Sequence, residues 1–276
     1  KPYYYFKPFD YERFETYEKG ILSSKLFTVL ASGIQTEFDE LSLHDDIKSA
    51  KEKLKDLESL EIEEFSTKYN FESNKKAKLT KALKDLSEND ASIISIDYKV
   101  FTQKKAIYTG HTNGIMGRPR YSTMKHIINK NNFGFVTMRT QVDTSIPNTY
   151  FISKNPIDKN YYGFQTYLFP LYLYPEDKNQ KGILETTERT PNLDAIIVDK
   201  IAKKIDLSYT NEKETTKNTF APIDVLDYIY AVLHSPKYRE KYKEFLKIDF
   251  PRVPYPKDQI TFWQLVKLGA EIRQLH

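Results

Sequence analysis

Residues 222–246 read PIDVLDYIYAVLHSPKYREKYKEFL, and this stretch decides the architecture of the C-terminal part of the chain. Pro222 suits the first turn of a helix, and apolar side chains then recur at helical spacing, at Ile223, Leu226, Ile229, Tyr230 and Leu233. Ser235 followed by Pro236 has the pattern of an N-cap and a first helical position. The sequence therefore predicts two helices in immediate succession.

Further helices are predicted on both sides of this stretch. Downstream, IDFPRVPYP is rich in Pro and predicts an extended connector, and a last helix is expected after Asp258, with Gly269 allowing close approach to a neighbour. Upstream, LDAIIVDKIAKKIDL from Leu193 also has a helical period. The segment 191–276 is therefore interpreted as helical.

Strand patterns dominate the middle of the chain. Runs of β-branched and aromatic residues begin at Ser92 (SIISIDYKVF), Asn131 (NNFGFVTMRT), Asn148 (NTYFIS) and Tyr161 (YYGFQTYLFPLYLYP). Residues 1–36 are predicted to form short strands and turns, with FTVLAS from Phe27 as the clearest strand. Helices are predicted from near Asp46 and over 75–86. The expected fold class is α+β, with a largely antiparallel β core, a helical insertion and a C-terminal helical subdomain.

Composition excludes several classes of protein. The 276 residues include no Cys, which removes disulfide scaffolds, cysteine nucleophiles and thiolate zinc sites. A hydrophobic content of 39% with 14% aromatic residues excludes an intrinsically disordered chain. The opening KPYYYFKPFD has no initiator Met and no signal-peptide pattern, and no apolar run approaches the ~18 residues of a membrane span. A fragment of a longer cytoplasmic protein without membrane contact is expected.

Charge is distributed unevenly along the chain. The net charge is only +4, but residues 99–141 contain eight Lys and Arg and neither Asp nor Glu, whereas 37–64 contains eleven acidic residues and four Lys. Tyr, His, Asn and Gln side chains, which contact phosphates and base edges, are interspersed through the basic segment. The segment predicts a nucleic-acid surface, with a basic face for another acidic partner or a neighbouring domain as the alternative.

Within the basic segment, GRPRYSTMKH at 117–126 has the pattern of a turn followed by a short helix from about Ser122. Gly117 and Pro119 fix the backbone so that Arg118 and Arg120 project, and a helix N-terminus beside them attracts phosphate. Arginine forks suit phosphate or the O6 and N7 atoms of guanine. The alternative is that one arginine ties the turn to a carboxylate of the same domain.

No catalytic set is recognisable in the sequence. The five His residues lack the spacing of metal ligands, and no glycine-rich phosphate loop occurs. Sets of carboxylates and lysines, such as Asp194, Asp199 and Lys200, are no more specific than chance in a chain so rich in charge. The chain itself is therefore predicted to be no enzyme and to have no metal site.

Several segments, taken in order, resemble the C-terminal specificity region of Type ISP and related Type IIG restriction-modification enzymes, from about residue 25 to the end. They are FTVLASGIQTEFDEL, EEFSTKYNF, KLTKALKDL, IDYKVF, GRPRYSTMKH, YLFPLYLYP, LDYIYAVLHSPKYREKYKEFLKIDFPRVPYPKD and FWQLVKLGAEIRQLH. The family's Arg/Pro/Phe/Asp stretch corresponds either to IDYKVFTQKKAIY, with Lys99 in place of an Arg, or to FKPFDYERF from Phe6.

The resemblance implies a single target recognition domain over 1–276, with N-terminal strands and a helical segment (1–91), a basic β-rich core (92–190) and a C-terminal helical segment (191–276). The implied partners are double-stranded DNA and the methyltransferase and nuclease modules of a parent polypeptide. The domain would hold a target adenine near that methyltransferase. No cofactor is expected in this chain, whereas S-adenosylmethionine and Mg²⁺ are expected in the parent.

The candidate DNA-binding residues all lie in the basic segment: Lys99, Lys104, Lys105, Arg118, Arg120, Tyr121, Lys125, Arg139 and Gln141. Since members of the family read different sequences, motifs common to the family suit backbone positioning or a shared feature of the target. Readout of variable bases is expected from 142–190 and from loops near 104–115. The alternatives are a docking module for the methyltransferase or a translocase, and an RNA-binding domain that stacks bases on tyrosines.

Overall fold

The computed structural model of the chain describes residues 10–140, 148–175, 188–216 and 218–276. Helices and short, mainly antiparallel strands fill these ranges, so the predicted α+β class is confirmed. The chain forms two compact units. Unit 1 comprises the described residues of 10–28, 137–152 and 189–276, and unit 2 those of 29–136 and 153–188. The predicted division of a single domain into segments at residues 91 and 190 stays a prediction.

The α-helices of the described part, in chain order, are α1 (Tyr11–Glu18), α2 (Ser23–Leu26), α3 (Asp39–Ser42), α4 (Ile47–Ser59), α5 (Ile62–Lys68), α6 (Lys76–Glu88), α7 (Tyr121–Met124), α8 (Ala195–Ile205), α9 (Pro222–His234), α10 (Pro236–Leu246) and α11 (Gln259–Leu275). A turn of 3₁₀-helix, Ser73–Lys75, leads into α6. None of the described helices has both the length and the apolar character needed to cross a bilayer.

The strands of the described part, in chain order, are β1 (Ile21–Leu22), β2 (Ala31–Ser32), β3 (Gln35–Thr36), β4 (Leu43–His44), β5 (Ser92–Lys99), β6 (Thr102–Tyr108), β7 (Met116–Arg118), β8 (Gly134–Met138), β9 (Tyr150–Ser153), β10 (Thr166–Pro170), β11 (Tyr172–Leu173), β12 (Thr190–Pro191), β13 (Ser208–Tyr209), β14 (Thr219–Phe220) and β15 (Arg252–Val253). The chain passes between the units within β8 and returns within β9.

The core of unit 1 is built around α9, whose residues from Val225 to Leu233 are all buried. As predicted, α9 begins at Pro222 and α10 begins at Pro236, with the Ser235 hydroxyl capping the Tyr238 amide at 3.3 Å. The capping bond satisfies an amide that the first turn of a helix leaves unpaired. The decisive stretch of sequence therefore folds as its pattern predicts.

The last helix packs closely on α9. A Cβ atom at Gly269 would lie 1.9 Å from the carbonyl oxygen of Asp227, so only glycine fits where α11 approaches α9. Phe262 of α11 lies 5.5 Å from the Tyr228 ring and 5.7 Å from the Phe220 ring, centroid to centroid. The predicted close approach at Gly269 is confirmed.

The prediction of short strands and turns over 1–36 is wrong for 11–18, which form α1. Asp10 begins this helix, since its Oδ1 accepts a 2.9 Å hydrogen bond from the Arg13 amide. Tyr17 is then buried against Tyr242 and Phe245, with ring centroids 5.1 and 5.4 Å apart. Of FTVLAS, only the last two residues form a strand, β2. Residues 1–9 lie outside the described part.

Unit 2 contains several small sheets. β5 and β6 form an antiparallel hairpin in which Ser92 lies opposite Tyr108, and β4 pairs along the other edge of β6. β3 pairs antiparallel with β7, and β2 pairs antiparallel with β10. The two helices predicted from near Asp46 and over 75–86 are present as α4 and α6. Asp46 caps α4, since its Oδ1 accepts a hydrogen bond from the Ser49 amide at 2.8 Å.

Candidate nucleic-acid interface

The GRPR segment of unit 2 forms a braced turn. β7 places Arg118 opposite Gln35 of β3, and the Thr112 hydroxyl donates a 2.8 Å hydrogen bond to the Gly117 carbonyl oxygen. The Tyr108 hydroxyl, at the end of β6, donates a 3.0 Å hydrogen bond to the carbonyl oxygen of Pro119. The turn is thereby held on both sides of Arg118.

Arg120 adopts a left-handed backbone conformation, with φ 55° and ψ 32°, directly before α7. This region is uncommon for a residue with a Cβ atom. The predicted helix is present but has only one turn, so it offers no helix N-terminus of consequence for phosphate.

Neither arginine of the turn forms an ion pair with a residue of the described ranges. Arg118 is exposed, and no residue in the described ranges accepts a hydrogen bond from its side chain or forms an ion pair with it. Arg120 is half-buried, and its Nε atom has no hydrogen-bond partner within the described ranges. A tie to a carboxylate of the same domain, the alternative left open by the sequence, is not found there.

Acidic residues from elsewhere in unit 2 neutralise part of the basic segment. The Lys99 ammonium lies 3.3 Å from Asp158 Oδ1 and donates to the Asn160 carbonyl oxygen at 2.8 Å. Burial raises the pKa of Asp158, and Lys99 opposes that rise. Lys104 pairs with Asp45 at 3.0 Å.

Lys105 is also engaged, since its ammonium donates to the Ser95 hydroxyl at 2.7 Å across the β5–β6 hairpin. Arg139 belongs to unit 1, where its Nε lies 2.9 Å from Asp249 Oδ1. Gln141 lies outside the described residues. The local charge of the sequence therefore overstates the charge that the folded surface presents.

A pocket of about 370 Å³ lies beside the braced turn. Tyr121 and Lys125, two of the predicted residues, line it together with Asp90, Ser92, Tyr108, Thr109, Ile128 and Lys130. The Tyr121 side chain is 53% exposed, and the Tyr108 hydroxyl is already committed to Pro119. The structure thus brings Arg118, Arg120, Tyr121 and Lys125 together along 118–125, as one contiguous element of unit 2.

Sequence reasoning missed Asp85, which organises the loop that walls this pocket. The Asp85 carboxylate is buried and accepts from the Thr109 hydroxyl at 2.8 Å and from the Ile115 amide at 3.0 Å. Asn89 donates to its other oxygen at 2.9 Å. Nothing in the sequence marks Asp85, because its partners lie beyond the helix that carries it. Tyr108 and Lys130 were visible as members of the basic segment.

No group of three or more His, Asp or Glu residues able to hold a metal ion is present in the described ranges. The buried histidine of the GRPRYSTMKH motif, His126, serves structure, since its Nδ1 atom accepts from the Tyr174 amide at 3.0 Å. The chemistry that this surface offers is therefore ionic contact, hydrogen bonding and aromatic contact.

The chain matches the family model of the Type ISP C-terminal specificity domain over residues 25–276. No curated protein matches it significantly. Among solved structures it is similar to the ATP-dependent Type ISP restriction-modification enzyme LlaBIII bound to DNA, with 18% identity and a TM-score of 0.63 over 94% of this chain and 17% of that one.

Two further solved structures are similar in fold. One is the DrdV–DNA complex, with 19% identity and a TM-score of 0.60 over 91% of this chain and 23% of that one. The other is a nuclease-deletion mutant of the Type ISP enzyme LlaGI in complex with a DNA substrate mimic, with 19% identity and a TM-score of 0.58 over 94% and 19%. The chain thus spans about a fifth of the length of these proteins.

Proposed function

Because the chain belongs to the family of Type ISP C-terminal specificity domains, we propose that it recognises a target sequence in double-stranded DNA for a larger restriction-modification enzyme. Its contribution is positional: it sets register and orientation on the duplex so that a target adenine lies at a methyltransferase site elsewhere in the parent. The solved relatives in DNA complexes support this proposal.

The observation that carries the proposal is the exposure and the ion pairing of the arginines in the braced turn. Arg118 is exposed with no partner among described residues, although three other cations of the basic segment are paired with carboxylates. A guanidinium held on a rigid turn, with no counterion among the residues that the structure describes, suits a phosphate or a guanine edge. We assign Arg118 and Arg120 to contacts with the DNA, with backbone positioning as their first role.

The parent polypeptide is part of the same proposal. It would carry the adenine methyltransferase, with S-adenosylmethionine as methyl donor, and a nuclease that uses Mg²⁺, both outside this chain. A target base inside a duplex is reached by flipping it out of the stack, and the specificity domain would hold the flanking duplex while this happens. Such an enzyme would act in the cytoplasm.

The test is a salt titration of duplex binding by the full chain. Fluorescence anisotropy with a short random-sequence duplex between about 50 and 200 mM salt gives the slope of log affinity against log salt. Arg118→Ala should weaken binding and reduce the slope by about 1, because one phosphate contact is lost. Lys81→Ala, an exposed lysine of α6 in the same unit, is the matched control and should leave the slope unchanged.

Two results would favour the alternatives. If the chain shifts no duplex even at low salt, its chief role is docking onto other modules of the parent. If it prefers single-stranded RNA to duplex DNA, recognition proceeds by stacking of unpaired bases. An Arg118→Ala variant with the wild-type salt slope would remove Arg118 from the DNA contact.

A further inference from the structure

The loop at 109–115 of unit 2 is held in one conformation by a buried carboxylate. Asp85 accepts from the Thr109 hydroxyl at 2.8 Å and from the Ile115 amide at 3.0 Å, so it holds both ends of the loop. A Cβ atom at Gly114 would lie 2.1 Å from Asp85 Oδ2, so only glycine fits where the loop packs on this carboxylate. Binding through this loop would therefore cost little conformational entropy.

Two further contacts fasten the same loop to the braced turn. The Thr112 hydroxyl donates to the Gly117 carbonyl oxygen at 2.8 Å. Gly110, with φ +80°, lies against the Tyr121 ring, where an added Cβ atom would be 3.1 Å from Cδ2. His111 is the residue between these two contacts. Its backbone is therefore fixed relative to the braced turn.

The imidazole ring of His111 is oriented by its own loop. Its Nδ1 atom lies 3.0 Å from the Thr109 carbonyl oxygen. Because a carbonyl oxygen only accepts, Nδ1 carries the hydrogen and donates it. In the neutral ring Nε2 is then an acceptor, and it has no hydrogen-bond partner within the described ranges. The residue is exposed, so this acceptor can meet a group on another molecule.

An acceptor on a rigid loop suits one kind of base edge. In the major groove, adenine N6 and cytosine N4 are amino groups that donate, whereas guanine O6 and thymine O4 are oxygens that accept. The Nε2 atom of a neutral imidazole accepts from an amino group and has nothing to donate to an oxygen. Arg118, on the turn to which the loop is fastened, suits a phosphate. One rigid element would thus combine positioning with readout.

We propose that His111 reads one base pair of the target duplex by accepting at Nε2 a hydrogen bond from the amino group of adenine or cytosine in the major groove. Asp85 and Thr109 are positioning residues, since they act on DNA only through the loop and the ring of His111. The inference rests on the proposed function and deepens it, because it names a residue that distinguishes between bases.

The test uses the full chain and a pool of duplexes with a random central segment. Selection at one salt concentration, followed by sequencing, gives the base preference at each position. The wild-type chain should enrich adenine or cytosine at one position where His111→Ala shows no preference. The other preferences should be retained in His111→Ala, and its affinity for unselected duplex should stay within about twofold of wild type, because phosphate contacts supply non-specific binding.

Two substitutions at His111 separate the two ring nitrogens. The side chain of Gln extends to about the position of Nε2, so His111→Gln should keep a preference for an amino group. The side chain of Asn extends only to about the position of Nδ1, so His111→Asn should lose it. Lys81→Ala is the control and should keep every preference, whereas Arg118→Ala should weaken all duplexes alike. Thermal unfolding of each variant verifies that it is folded.

A modified duplex tests the amino group itself. At the position assigned to His111, adenine is replaced by purine, or cytosine by 2-pyrimidinone, in which hydrogen takes the place of the amino group. Wild-type affinity should fall about three- to tenfold, the loss expected for one hydrogen bond. The affinity of His111→Ala should not fall further, and this comparison controls for the weakened base pair.

Three results would overturn the role of His111 and leave duplex recognition in place. They are unchanged base preferences in His111→Ala, enrichment of guanine or thymine at the position that this variant loses, and wild-type affinity that does not depend on the amino group. Failure of the proposed function looks different: the wild-type chain would then bind no duplex, or would bind duplexes without any base preference.

Discussion

The hydroxyl group of Tyr108 donates a hydrogen bond of 3.0 Å to the carbonyl oxygen of Pro119, joining the end of β6 to the turn that carries Arg118. Burial raises the pKa of Tyr108, so the hydroxyl keeps its proton and remains a donor over the physiological range. Tyr108 and Pro119 are both buried, so water does not replace this bond if it is lost.

Tyr108→Phe should therefore lower the free energy of unfolding by about 1 kcal/mol, the usual contribution of one buried hydrogen bond, because it leaves the Pro119 carbonyl without its donor. Urea denaturation of the variant and the wild type measures the difference. An unchanged midpoint for Tyr108→Phe would show that the bond does not brace the turn.

The backbone of Arg120 gives a second prediction. At φ 55° a residue with a Cβ atom costs roughly 1 to 2 kcal/mol more than glycine. Arg120→Gly should therefore be more stable than Arg120→Ala by about 1 kcal/mol, although both lose the guanidinium and should bind duplex DNA equally weakly. Denaturation and anisotropy on the two variants test stability and binding separately. A glycine variant that is less stable than the alanine variant would contradict the left-handed conformation.

The cations of the basic segment should contribute less to duplex affinity where a carboxylate of the same chain pairs with them. Lys104 is paired with Asp45 at 3.0 Å, so it presents less net charge to DNA than Arg118 does. Lys104→Ala should therefore reduce duplex affinity less than Arg118→Ala at the same salt concentration. The double variant Asp45→Asn with Lys104→Ala serves as the control for the lost ion pair, and it should resemble wild type. Equal losses for Lys104→Ala and Arg118→Ala would refute this ranking.

A buried ion pair links α11 to α9. Arg273 contacts Asp227 at two points, Nε to Oδ1 at 2.7 Å and Nη2 to Oδ2 at 3.0 Å. Removing one partner of a buried pair typically costs about 3 to 5 kcal/mol, because the other charge is left in the interior. Arg273→Ala should therefore destabilise the protein by an amount of that order near neutral pH.

The loss of stability caused by Arg273→Ala should depend on pH. Burial, the largest influence, raises the pKa of Asp227, and Arg273 opposes the rise. An Asp with a raised pKa in the folded state binds its proton more readily there, so its contribution to stability falls as pH rises from the unfolded pKa through the folded one. Without Arg273 the folded pKa is higher still. Urea denaturation at about pH 5 and about pH 7.5 should show a larger deficit for Arg273→Ala at the higher pH.

The double variant Arg273→Ala with Asp227→Asn provides the control for this effect, since it has no carboxyl group to ionise. Its deficit against wild type should vary much less between the two pH values. If Arg273→Ala loses the same free energy of unfolding at both pH values, the arginine does not compensate the charge on Asp227.

Local patterns predicted most of the described helices because their signals lie within a few residues. Asp46, Ser235 and Asp258 each cap the helix that follows, with bonds of 2.8, 3.3 and 2.7 Å to the amides three residues on. Helix α1 was not predicted, because its aromatic composition resembles that of a strand. The cap by Asp10 and the packing of Tyr17 on α10 outweigh that preference.

The cations of the candidate site could be predicted from the sequence, but the carboxylates that pair with them could not. GRPRY marks Arg118, Arg120 and Tyr121 by local turn chemistry, and Lys125 follows within the same motif. Asp45 and Asp158 reach Lys104 and Lys99 from distant parts of the chain, and a count of charges along the sequence does not reveal such pairs. Whether each named residue contacts DNA stays a prediction.

The discontinuous make-up of the two units has a consequence for the order in which the protein folds as it is made. Unit 2 ends at residue 188, so its whole sequence is synthesised before helices α8 to α11 of unit 1. In unit 1, Ile21 pairs with Val253, and Tyr17 packs on Phe245, so the N-terminal segment waits for the last helices. We expect a nascent chain stalled after unit 2 to hold that unit folded while α1 remains sensitive to protease.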